Sequence, residues 1–127
     1  MTGWQGLAAF YEKQLSAASE SDVENRKKLG TQLMEAYTTM LALTKEADKY
    51  QNLSEKIVDL NLTTLRNLDG VVTILKARTE FMDAMNDKDR TRQAHADLVR
   101  ILNTQQIGVL NPSQEQIFRA SLQKVFS

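Results

Sequence analysis

Residues 53–85 read LSEKIVDLNLTTLRNLDGVVTILKARTEFMDAM, and how this stretch is divided decides the fold. Leu53, Ile57, Leu60, Ile74, Phe81 and Met85 recur at helical spacing along one stripe, and Val58, Leu62, Leu65, Val72, Leu75 and Met82 along a second. A helix apolar on two sides is a central helix or an oligomer seam. Asp69-Gly70 interrupts the stretch, and Val71-Val72-Thr73-Ile74-Leu75 after it is as strand-like as helical. With no partner strand in prospect, the reading is a long helix that tolerates its Gly, with a kink or turn there as the alternative.

Working outward, one Pro and five Gly in 127 residues leave the boundaries to capping chemistry. Ser21 with Glu24 and Asn52 with Glu55 each fit a capping box, and Asn111-Pro112 with Gln114 makes a third. A weaker start lies at Asn86 or Asp87. These signals predict helices over 4–18, 22–49, 53–85, 88–107 and 112–126. The expected fold is all-α, a single helical domain built as an antiparallel helical hairpin or up-down bundle of four to five helices with coiled-coil character. The second and third segments would be rods of roughly 40 and 50 Å, turning at Tyr50 and Gln51.

Sixteen basic residues balance sixteen acidic ones, and neither half of the chain is markedly charged. Nucleic-acid binding draws on clustered Lys and Arg, so no nucleic-acid partner is expected. The longest nearly apolar stretches, Leu7–Tyr11 and Val71–Leu75, are far short of a membrane span. The amino terminus lacks a basic region followed by an apolar one, which points to the cytoplasm unless a leader has been removed.

There are no cysteines, so disulfides, thiolate nucleophiles and Cys-based metal sites are excluded. The one histidine, His95, has Arg92 rather than Glu three residues before it, which breaks the Glu-x-x-His pattern of di-iron bundles. Asp97 stands two positions on, where a helix turns it to another face. No nucleophile elbow or phosphate-cradling loop occurs. No catalytic residue, cofactor or metal is expected, and His95 reads as a structural residue.

Two short patterns resemble known families. Trp4-Gln5-Gly6 resembles the W-x-G pattern that small secreted helical-hairpin proteins carry at their turn, here placed at the amino terminus. Leu102-Asn-Thr-Gln-Gln106 and Leu110-Asn-Pro-Ser-Gln114 resemble the repeated L-T-x-x-Q motifs of small periplasmic stress chaperones, with Asn in both copies where that family has Thr. The second resemblance covers thirteen residues and implies a periplasmic helical chaperone.

The expected function is a non-catalytic interaction or assembly module that binds another protein or itself, most simply as a homodimer. A small helical chaperone and a ligand-binding bundle or enzyme are the alternatives. Leu60 and Leu75 stand for the two stripes of the long segment as candidate contact residues. Ile117, Phe118, Leu122 and Phe126 make a compact apolar face near the carboxyl end, and Trp4 is a candidate anchor on the chain's own core or a neighbouring subunit. Polar Thr64, Asn67 and Arg78 interrupt the first stripe at near-heptad positions, as register-fixing residues of a seam would. The runs Arg26-Lys27-Lys28 and Asp87–Arg92 read as solvated faces or as docking points for an acidic partner groove.

Overall fold

In the computed structural model, which describes residues 2–127, the chain is all-helical, with six helices and no strand among those residues. They are α1 Thr2–Ala17, α2 Val23–Leu43, α3 Ala47–Thr63, α4 Leu68–Ala84, α5 Lys88–Thr104 and α6 Pro112–Val125. They form two units, one ending at Arg66 and one beginning at Asn67. In the first, α2 packs against both α1 and α3; in the second, α5 packs against α4 and α6, which also touch each other.

The six helices replace the four or five expected because neither long rod survives. The first break falls at Thr44–Glu46, ahead of the expected turn at Tyr50 and Gln51. The Thr44 hydroxyl donates to the Met40 carbonyl at 2.8 Å, and its amide reaches back to Leu41, so the last turn of α2 closes on itself. Helix α3 then starts five residues before Asn52, which lies inside it rather than capping it.

The second break, Thr64–Asn67, cuts the 53–85 segment into α3 and α4. The amides of Thr64 and Leu65 both bond to the Leu60 carbonyl, Arg66 takes a left-handed conformation (φ 50°), and the Asn67 side chain accepts from the Gly70 amide at 3.1 Å. Asp69-Gly70, where a kink was the alternative reading, lies in the first turn of α4, and Asn67 is an N-cap rather than a seam residue.

The two stripes also merge. Tyr50, Ser54, Ile57, Val58, Leu60 and Asn61 are buried along α3, and Val71, Val72, Ile74, Leu75, Arg78, Thr79 and Met82 along α4. In each helix these positions form one broad arc whose shoulders are the stripes read from the sequence. Gly30 lets α2 approach the end of α3, since a Cβ there would stand 3.0 Å from the Thr64 methyl group and 3.1 Å from Leu65.

The remaining starts follow capping chemistry. Asp22 rather than Ser21 caps α2, accepting from the Asn25 amide at 3.2 Å. Asp87 caps α5 through the Arg90 amide at 3.1 Å. The Asn111 and Gln114 capping box with Pro112 opens α6 as expected. Arg26, from the basic run, donates to the Leu15 and Ala18 carbonyls at the end of α1.

Candidate functional site

A polar cleft of the second unit lies where α4, α5 and the end of α6 meet. It encloses about 580 Å³. Glu80 and Asp83 line it from α4, Lys88, Arg92 and His95 from α5, and Lys124 from α6. A neighbouring cleft of about 330 Å³ shares Thr79, Glu80 and His95 and runs along α6 past Ile117 and Ser121. His95 therefore stands where the two meet.

His95 Nδ1 lies 2.8 Å from Ser121 Oγ. Burial, and then the positive charge of Lys124, hold the imidazole below its ordinary pKa, while Asp83 acts in the opposite direction. Ser121 is only 3% exposed, so this serine and histidine meet inside the α5–α6 contact. Asp97, two positions on, turns instead to Arg78 on α4 at 3.6 Å and to Arg100 at 3.5 Å. The arrangement can hold or release a proton at His95. Among the described residues, no group of three or more His, Cys, Asp or Glu side chains is placed to hold a metal ion.

The first unit carries its polar cluster across α2. The Tyr37 hydroxyl donates to the Glu12 carboxylate of α1, which also receives Lys56 Nζ of α3 at 3.2 Å. Lys56 lies over the Tyr37 ring, 5.7 Å from its centre. Burial, followed by the bond to Glu12 and the negative charges of Glu12 and Asp59, pushes the Tyr37 phenol well above the usual tyrosine range. This cluster straps α1 to α3.

The candidate contact residues are scattered. Leu60 and Leu75 are 4% and 0% exposed, so both are core side chains. Trp4 is half-buried on α1; Ile117, Phe118 and Leu122 are half-buried on α6; Phe126, just past that helix, is 82% exposed. Asn61, in a glycosylation-like tripeptide, is buried and donates to the Ile57 carbonyl. Gln114 of the second L-x-x-x-Q pattern is the capping partner of Asn111 and also reaches Asp69 at 3.4 Å.

One surface was missed in the sequence. Gly3, Gly6, Leu7 and Phe10 fall on a single face of α1, opposite buried Ala8. Leu7 is 38% and Phe10 56% exposed, and a Cβ at either glycine would meet nothing within 4 Å. No charged residue precedes Glu12. Helix α1 is thus apolar both inward and outward. The absence of charge from its first three turns was the available signal, hidden because glycines add nothing to a hydrophobic stripe and Phe10 merges with the run Leu7–Tyr11.

No helix of the described residues is long and apolar enough to cross a membrane. Comparison with protein-family models, curated proteins and solved structures finds no match to this chain.

Proposed function

We propose that this protein is a non-catalytic helical interaction module that associates with a second copy of itself through the outward face of α1. The supporting observation is the self-complementary order of that face. Gly3, Gly6, Leu7 and Phe10 are arranged symmetrically about a point between Gly6 and Leu7. When two such helices lie antiparallel across a two-fold axis there, Phe10 falls opposite Gly3 of the partner subunit and Leu7 opposite Gly6 of the partner subunit. Each large side chain meets a position with no side chain, so two backbones can approach closely. A face without charges loses nothing to desolvation of ions when covered. Leu60 and Leu75 are core side chains, which argues against a seam along the 53–85 segment and favours the exposed face of α1 for that role.

The non-catalytic reading is supported by the burial of Ser121, whose hydroxyl, though bonded to His95, is poorly placed to attack a substrate. Gel filtration with light scattering tests the proposal. The expected mass is twice 14.4 kDa at micromolar concentration, falling to the single-chain value in Phe10→Asp with helicity retained. Gly3→Leu and Gly6→Leu, which fill the depressions, should act in the same direction. A wild-type mass of 14.4 kDa throughout would defeat it.

A further inference from the structure

Helix α6 is held to its unit by polar as well as apolar side chains. Its most deeply buried side chains are Gln114 and Ser121, two turns apart, and Ile117, Phe118, Leu122 and Val125 are half-buried. The first half is pinned by the Asn111 box and by Gln114 reaching Asp69. The second half is held by Ser121 on His95, with Arg92 Nη2 donating to the Val125 carbonyl at 3.3 Å. A helix so mounted depends in part on the state of its polar partners.

We infer that the second half of α6 is an acid-sensitive latch, closed while the neutral imidazole of His95 accepts from Ser121 and loosened when that imidazole takes up a proton. In the closed state Nδ1 accepts the hydroxyl proton. Protonation turns Nδ1 into a donor, and the Ser121 proton, on a side chain that is itself buried, must find another acceptor. The new positive charge then faces Lys76, Glu80 and Asp83 of α4, Lys88 and Arg92 of its own helix, and Lys124 of α6. Four cations stand against two carboxylates. The lowered pKa of His95, with burial as its first cause and Lys124 as its second, agrees with that balance. A group whose folded pKa is lowered contributes stability above its ordinary value, near 6.5, which is lost as the pH falls through the folded value.

Backbone hydrogen exchange of the full chain between pH 7.5 and 5.5, corrected for intrinsic rates, tests this. Protection of residues 118–125 should fall at least about threefold relative to α4 and α5 as the pH is lowered. His95→Gln, which keeps a neutral hydrogen-bonding side chain, should flatten that response. Lys124→Gln, a change at an exposed position, should move it to higher pH by removing a neighbouring cation. Parallel behaviour of α6 and α5 across the range, a full response in His95→Gln, or an unmoved response in Lys124→Gln would overturn the latch.

Discussion

The guanidinium of Arg78 on α4, only 1% exposed, lies 3.6 Å from the carboxylate of Asp97 on α5. Breaking such a pair from one side takes a counter-ion from a buried charge, which costs far more than the pair itself contributes. Asp97→Ala is therefore expected to lower stability by roughly 3–5 kcal/mol in urea denaturation. Replacing both, as Arg78→Met with Asp97→Leu, should recover most of that loss, since an apolar pair needs no compensation. A loss below about 1 kcal/mol in Asp97→Ala would show that the pair does not hold α4 to α5.

Asn111 and Gln114 cap each other reciprocally, at 2.8 and 2.9 Å. Asn111→Ala removes the acceptor while Pro112 still favours a helical start, so the expected cost is about 0.5–2 kcal/mol. Loss of amide protection should begin at the first turn of α6. An unchanged denaturation midpoint would mean that the box contributes nothing.

Tyr37 titrates above the ordinary tyrosine value because the neutral phenol is buried and donates to Glu12. A group whose folded pKa is raised stabilises the fold fully below its unfolded pKa, near 10, and loses that contribution as the pH climbs through the folded value. Stability should therefore decline above pH 10, and Tyr37→Phe should lessen the decline. Absorbance titration checks the same point: the late limb of tyrosine ionisation should be lost in Tyr37→Phe.

Gly30 lies inside α2, where alanine is ordinarily better by about 1 kcal/mol. The added methyl group would press on Thr64 and Leu65 at the end of α3. Gly30→Ala is expected to show none of that gain, and Gly30→Val to lose about 1–3 kcal/mol through overpacking. Thermal melts of both variants decide it; a more stable Gly30→Ala would mean that the α2–α3 approach is loose.

The helical class was legible because apolar residues recur at helical spacing and because Asn111 and Pro112 announce a start with unambiguous chemistry. The Thr64–Asn67 break was not, since the left-handed residue is Arg66 rather than the Gly or Asn that usually marks one. Asn67 and Arg78 look alike in a linear pattern, as polar residues in an apolar stripe. Three dimensions separate them into a helix cap and half of a buried ion pair. His95 reads as a structural residue in the sequence, and its partner Ser121 lies 26 residues away with no signature of its own. The outward face of α1 escaped because half of it is glycine.

The packing order has a kinetic consequence. Within each unit the middle helix packs against the helices immediately before and after it in the chain. The loops to be closed are short, so little entropy is lost before contacts form, and bundles with such local contacts fold in microseconds to milliseconds. During synthesis, at roughly 5–20 residues per second, the helices up to Arg66 would have seconds in which to assemble before α4, α5 and α6 had all been made. The apolar face of α1 would then stand ready on a folded surface while the rest of the same chain was still on the ribosome, and the pairing proposed for it would be open to neighbouring nascent chains.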